Sequence, residues 1–235
     1  MRRKIKDYLL HKLTSQFFKT EFEEQGFIGF NERPVEFRFI FKKLGEIYPH
    51  KILDVGSGIT ALPRLMRDCG FLVTAIDNVQ DYWSSGMINR YYHVIDDNIT
   101  DTNLTEQFDI ITCVSVVEHI KNADVAVKNM FSLLKPNGHL IMTFPYSEYK
   151  YIRNVYERPE SVCFGKELPY ITQSFSRTEL DLWMRDNNGV ILDQEWWQIW
   201  EGEYWSEGEE LIPPKQVEYE DNHQHTCVHI QKRLD

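Results

Sequence analysis

Ile52-Leu53-Asp54-Val55-Gly56-Ser57-Gly58 is the stretch on which the fold is decided. A short apolar run that starts at Lys51 and closes on Gly-x-Gly reads as a buried strand passing into a tight turn. The residues after it, about Ala61–Cys69, follow a helical pattern, with Pro63 tolerated in the first turn. Glycines at such a turn let backbone approach a ligand closely while N–H groups of the following helix point at it. Gly70 stops the helix, and Phe71–Ile76 forms a second strand ending at Asp77. A carboxylate about twenty residues beyond the turn is placed to accept hydrogen bonds from both hydroxyls of a ribose. Either feature alone is common turn chemistry. In the order strand, turn, helix, strand, acid they point to nucleoside binding.

The pattern continues on both sides. Tyr91–Ile95 reads as a third strand running into Asp96-Asp97-Asn98, and Phe108–Val114 as a fourth. A helix covers about Ala123–Leu134, Pro136-Asn137-Gly138 makes a turn, and His139–Phe144 is a fifth strand. Upstream, Ile5, Tyr8, Leu9, Leu13 and Phe17 give an amphipathic helix over Lys4 to about Thr20, followed by a loop at Gly26 and Gly29. Pro34 suits the first turn of a second helix, with Phe37, Ile40, Phe41 and Leu44 on one face and Pro49 at its end. Downstream, residues 145–175 lack a period and read as an inserted loop region, the kind that carries substrate contacts. Ser176 and Glu179 form a capping box for a helix over Ser176–Asn188, stopped by Gly189. Val190–Ile199 and Thr226–Lys232 are the sixth and seventh strands, an antiparallel pair at one edge, flanking a polar loop at about Glu201–Asn222.

Short strands alternating with helices call for a parallel sheet covered on both faces. The expected fold is α/β: a Rossmann-like seven-stranded mixed sheet, six strands parallel and one antiparallel, with helices on both faces. Residues 1–33 are expected to stand apart as a helix and loop, with residues 34–235 as the domain. The first segment reads as a lid, a homodimer contact or a solvated basic end.

The 235 residues suffice for one sizeable domain. A net charge of −10 repels a phosphate backbone, and the only dense basic run is Arg2, Arg3, Lys4 and Lys6, so nucleic acid is not the expected partner. The 4 cysteines, at 69, 113, 163 and 227, show no paired spacing, which favours a reducing compartment over a disulfide framework. Lys6, Asp7 and Lys12 interrupt any leader peptide, and the apolar run Ile110–Val117 is too short to span a bilayer. The expected setting is the cytoplasm, without a membrane partner.

Two nucleoside ligands compete for the Gly-x-Gly turn. Gly56, Gly58 and Ala61 satisfy the dinucleotide fingerprint. Asp54 opposes that reading, because a carboxylate just before the turn is unfavourable beside a pyrophosphate and suits a cationic ligand. From about Pro34 onward the chain resembles the class I methyltransferase family, in particular its small-molecule (type 11/12-like) branch. Leu53-Asp54-Val55-Gly56-Ser57-Gly58 is similar to the family's first motif and Asp77 to its ribose-binding acid. Asp97, with Asn98, falls where the family contacts the adenine amino group, although Asp96 is an alternative. Phe108-Asp109-Ile110-Ile111 with Val117-Glu118-His119-Ile120 resembles the fourth-strand motif, and Leu134-Lys135-Pro136-Asn137-Gly138-His139-Leu140 the turn before the fifth strand. Thr60 departs from the pattern, standing where a third glycine is frequent.

The resemblance implies S-adenosylmethionine as cofactor, held by Asp54, Gly56, Ser57, Gly58, Asp77, Asn78, Asp97, Asn98 and Ser115. It implies in-line methyl transfer to a small or medium-sized acceptor, with His119 as the base if the acceptor is a hydroxyl. Glu118, Tyr146, Trp200, Tyr204 and Trp205 are the expected acceptor contacts; Glu118 is alternatively a cap or cofactor contact, and Trp196 and Trp197 are divided between core and pocket. His223, His225, Cys227 and His229 share one strand face, poorly arranged to close a tetrahedron, so a polar, partly exposed face is expected and no metal. A non-catalytic nucleoside-binding module is the alternative function. A nicotinamide-dependent oxidoreductase is a weaker one, kept open by the Tyr146/Lys150 spacing.

Overall fold

The computed structural model describes residues 2–24, 31–79 and 88–234. The chain divides into two units, Met1–Asn31 and Glu32–Asp235. The first holds α1 (Arg2–Glu23), 22 residues long. The expected stripe of Ile5, Leu9, Leu13 and Phe17 is exposed, but so are Leu10, Phe18 and Phe22. At about 100° per residue these last three extend around the helix beyond the stripe, so the apolar residues are not confined to a single face. Gly26 and Gly29 lie outside the described residues.

The second unit begins with α2 (Arg33–Ile47), which has proline in its first turn. One 8-stranded sheet follows, in the order β3-β2-β1-β4-β5-β8-β6-β7. Its strands are β1 (Lys51–Val55), β2 (Leu72–Asp77), β3 (Ile95–Asp96), β4 (Phe108–Val114), β5 (Leu134–Pro145), β6 (Gly189–Trp200), β7 (Glu210–Val217) and β8 (His225–Lys232). β1 to β5 pair in parallel, β8 runs antiparallel between β5 and β6, and β7 runs antiparallel against β6. The result is the expected Rossmann-like mixed sheet with one strand more than the seven read from sequence.

The additional strand, Glu-Leu-Ile-Pro-Pro-Lys-Gln-Val, lies in the stretch expected to be a polar loop. Pro213 and Pro214 cannot donate to a ladder, which suits only an edge, and β7 is the edge. The antiparallel pair of β6 and β8 is therefore one strand in from the border. β3 is shorter than expected and begins only at Ile95, because Tyr92 turns aside and its hydroxyl donates to the Val73 carbonyl at 2.7 Å. β5 begins before the Pro136-Asn137-Gly138 turn and absorbs it as a register shift against β4, with Asn137 at φ 60.

Side chains alternate across the sheet as the pleat requires. Ile52, Ile110, Ile141, Trp197 and Cys227 face α2 and α3 (Leu62–Asp68). Leu53, Ile111, Leu140, Met142 and Val228 face α4 (Ala123–Leu133) and α5 (Arg177–Asp186). α5 starts at the expected capping box, with Ser176 N–H donating to Glu179 at 2.9 Å. His225, Cys227 and His229 are buried rather than partly exposed, and His223 does not share their strand: it precedes β8 and stacks on Tyr146. β8 is an interior strand, and Cys227 packs in the same cluster as Phe39 and Ile40 of α2, so its face is covered.

Candidate functional site

β1 is flanked by β2 on one side and β4 on the other, so the connections leave it in opposite directions and open a crevice at the carboxyl ends of the strands. A cavity of about 890 Å³ lies there. Asp54, Gly56, Ser57, Gly58, Asp77, Asn78, Asp97, Asn98, Ser115 and His119 all line it. Gly56 stands at φ 72, and a Cβ there would collide with the Val116 side chain, so the turn is closed to any larger residue. Gly58 N–H donates to Asp77 at 2.7 Å, tying the first turn to the end of β2. Asn89 bonds the Gly58 and Thr60 carbonyls at 2.8 and 2.9 Å. Thr60 itself donates to the Ser57 carbonyl at 2.9 Å, so the residue that departs from the glycine pattern closes the turn from its own side chain.

Asp54 is buried at the floor of the cavity. Ser57 and Thr112 hydroxyls each donate to it at 2.6 Å. Burial pushes its carboxyl up to about 6 and nearby Asp77 adds to this, against the hydroxyl bonds. A cation arriving beside Asp54 would stabilise the ionised form. Of the two acids after the third strand, Asp97 lines the cavity, whereas Asp96 accepts the Val79 N–H at 3.1 Å. Both Asp97 oxygens are engaged, by the Thr102 hydroxyl at 2.6 Å and the Asn103 N–H at 3.2 Å, and Asn98 caps the turn Ile99–Asp101.

Residues 2–194 match the sequence profile of a family described as a methyltransferase domain. The chain belongs to that methyltransferase family. Among similar proteins is a ubiquinone biosynthesis O-methyltransferase of Glaesserella parasuis, 32% identical over 124 residues, covering 47% of this chain and 51% of that one. Another, from Pseudomonas fluorescens, is 25% identical over 179 residues, covering 68% of this chain and 72% of the relative. The chain spans about half the length of the first of these. The fold is shared with the Burkholderia thailandensis 1,6-didemethyltoxoflavin-N1-methyltransferase, solved with S-adenosylhomocysteine, at TM-score 0.56 and 13% identity over 100% of this chain and 91% of that one. It is also shared with the N-methyltransferase NodS of Bradyrhizobium japonicum, at TM-score 0.51 and 13% identity over 86% and 88% of the two chains.

In this methyltransferase domain His119 sits on the cavity wall, in the single turn Val117–His119 that follows β4. Its Nδ1 lies 2.8 Å from the Ile171 carbonyl. Only a protonated nitrogen can serve a carbonyl, so that bond fixes the tautomer with the lone pair on Nε2. Burial pushes the imidazole below its ordinary value, which keeps it neutral at physiological pH. Arg33, Phe37, Asn154, Glu157 and Leu168 to Ile171 complete the wall. None of these was read from sequence as a site residue. Arg33 carries no motif, Phe37 was read only as part of the apolar face of α2, and the others lie in the period-free segment, where only its unpatterned, proline-bearing character marks it as a contact region.

Glu118, Tyr146, Trp200, Tyr204 and Trp205 are not among the lining residues. Glu118 is buried, its Oε1 3.8 Å from His119 Nε2, and burial pushes its carboxyl well above the usual carboxylate range. Tyr146 is fully buried, donates to Glu148 at 2.9 Å and stacks on His223. Tyr204 lies under the Arg158 guanidinium, 4.4 Å from it, in a small cluster with Ile152 and Val155. Trp205 packs on His225 and against Trp200. Each of these rings packs inside the protein, although the buried Trp200 indole N–H finds no hydrogen-bond partner among the described residues. Tyr204 and Trp205 pack against Ile152 and Val155 of the inserted segment.

Proposed function

We propose that this chain is an S-adenosylmethionine-dependent methyltransferase acting on a small or medium-sized molecule. The buried Asp54 beside the Gly56-Ser57-Gly58 turn carries the reading. A carboxylate there opposes a pyrophosphate and favours the ammonium and sulfonium charges of this cofactor. The residues fit the group. Gly56, Asp77, Asp97 and Asn98 all line the cavity; Gly56 would permit backbone approach, Asp77 would accept from the ribose hydroxyls, and Asp97 and Asn98 would meet the adenine. When bound, S-adenosylmethionine supplies a methyl group on a positively charged sulfur with its leaving group built in.

The chain's own work is then to align the acceptor and to exclude water. Leu168 to Ile171 and Asn154, from the inserted segment, cover the acceptor side. For a hydroxyl acceptor, His119 Nε2 takes the proton as the oxygen attacks, while the Ile171 carbonyl holds the ring in orientation. A carboxylate acceptor needs no such step. The expected setting remains the cytoplasm; no described helix is long and apolar enough to cross a membrane. Apart from Arg33, every residue lining the cavity falls in the segment 34–235 that we assign as the methyl-transfer domain.

Calorimetric titration with S-adenosylmethionine, S-adenosylhomocysteine, NAD and NADP, on wild type and Asp77→Ala, tests the reading. Micromolar binding of the adenosyl ligands, weakened in the variant, supports it. Preference for NAD, or binding of none of the four, ends it. Adenosyl binding without transfer to any of a broad acceptor panel favours a non-catalytic module.

A further inference from the structure

Glu36 lies on α2, outside every motif, and is completely buried. Its position on a helix face that otherwise packs apolar side chains against the sheet calls for a hydrophobic residue. Instead, four elements converge on its carboxyl group. Ser115, at the end of β4, donates to Oε1 at 2.6 Å, and Thr143 of β5 donates to the same oxygen at 2.5 Å. Arg33 donates to Oε2 at 2.7 Å, and His225 Nε2 of β8 lies 3.4 Å from Oε1. Burial alone would push the carboxyl up, but His225, Arg33 and Ser115 outweigh it and hold it well below the usual carboxylate range.

Ser115 is the residue this arrangement acts on. It stands at φ 50, a left-handed conformation that costs a side-chain-bearing residue energy and persists only where its surroundings enforce it. Its N–H is also fixed, donating to the Thr143 carbonyl at 3.0 Å. The chain leaving Ser115 places the Val116 side chain against Gly56 and then forms the single turn Val117–His119. The conformation at Ser115 thus sets the position of Val116 on the cofactor side and of His119 on the acceptor side.

We infer that Glu36 is a positioning residue, whose carboxylate holds Ser115 in its left-handed conformation and so fixes the 115–119 turn for both halves of the pocket. This rests on the function proposed above. A merely structural Glu36 would lower stability without moving that turn.

The test compares Glu36→Gln, Glu36→Gln with Ser115→Gly, and Leu180→Ala, a core truncation on α5 away from the pocket. Amide hydrogen exchange reads the turn without any cofactor, and calorimetry reads S-adenosylmethionine affinity. Glu36→Gln should accelerate exchange at 115–119 and weaken binding about tenfold, since one residue's left-handed penalty is then unopposed. Adding Ser115→Gly, which tolerates that conformation, should recover most of the loss. Leu180→Ala should melt lower yet bind as wild type. Should Glu36→Gln not fold, Ser115→Ala and Ser115→Gly replace it: both lose the Glu36 bond, and alanine should bind about fivefold more weakly than glycine. Unchanged exchange at 115–119 in Glu36→Gln, or equal affinity for alanine and glycine at 115, overturns the inference. Wild type that binds no S-adenosylmethionine overturns the proposed function, while the exchange result still decides the role of Glu36.

Discussion

Two buried carboxylates, a strand apart at the carboxyl end of the sheet, live in opposite electrostatic conditions. Asp54 and Glu36 are both fully enclosed and each accepts two hydroxyl hydrogen bonds, from Ser57 and Thr112 in one case and Ser115 and Thr143 in the other. The hydroxyls do not distinguish them. His225 and Arg33 do: the His225 imidazole lies 3.4 Å from Glu36 and the Arg33 guanidinium bonds it, whereas among the described residues no lysine or arginine bonds Asp54. One carboxyl is consequently held low and the other raised to about 6. A protein that supplies a cation to one buried acid and not to its neighbour has a structural charge and a charge with work to do.

The contrast is sharpened first by removing the acid that lacks a cation. Asp54→Ala should weaken S-adenosylmethionine by about 100-fold, the scale of losing a buried charge partner, and S-adenosylhomocysteine by less, because it has no sulfonium. Calorimetry on both ligands checks it, and equal losses would break the assignment of Asp54 to the cofactor's charges.

Stability should then move in opposite directions at the two sites. Glu36→Gln removes the charge that Arg33 bonds and should cost about 2 kcal/mol, below the usual figure for a broken buried pair because Arg33 is 33% exposed. Asp54→Asn should instead stabilise the ligand-free protein by about 1–2 kcal/mol at pH 7, by removing an ionised group that prefers to be neutral. The signs follow from linkage. A lowered carboxyl contributes stability above its unfolded value of 4.5 that is lost as pH falls further. A raised one erodes stability as pH climbs from 3.8 through about 6. Urea denaturation of both variants at pH 7 decides it, and a shared sign would remove the distinction.

Cofactor affinity should also titrate. Protonating Asp54 discharges it, so S-adenosylmethionine should bind about tenfold more weakly at pH 5 than at pH 7, with a midpoint near 6 in the free protein. A flat profile would count against Asp54. The smallest effect is expected for Thr112→Val, which removes one hydroxyl from Asp54. It should shift that midpoint upward and change affinity at pH 7 about twofold, near the limit of a careful titration.

The cofactor side of this site was legible because its residues sit where period and turn chemistry are strongest. Gly56 and Gly58 follow an apolar run, and Asp77 ends the next, so spacing alone places them together. The rest of the cavity lining resisted. It includes residues of α2 and of a segment whose conformation is set by tertiary bonds such as Ile152 N–H to the Ser174 carbonyl, which leave no periodic trace. The tryptophans illustrate the same limit: composition reveals that Trp200 and Trp205 need partners, but only folding shows His225 to be one of them. β7 was missed because two prolines and two charges mask a strand whose single paired side makes them tolerable. Glu36 could not be found from pattern, since its helix position is one where an apolar residue would serve.

The inserted segment and the turn after β6 are joined more firmly than their separation in sequence suggests. Arg158 bonds Glu207, the Ser161 and Ser206 hydroxyls share a hydrogen bond at 2.7 Å, and Tyr204 closes the cluster over Ile152 and Val155. The two stretches therefore behave as one exchangeable part. Transplanting residues 146–175 from another family member without the matching 201–208 would leave a guanidinium and a serine facing strangers. New acceptor preferences in this scaffold should accordingly arise by paired replacement, the visible loop and its distant counterpart being inherited together.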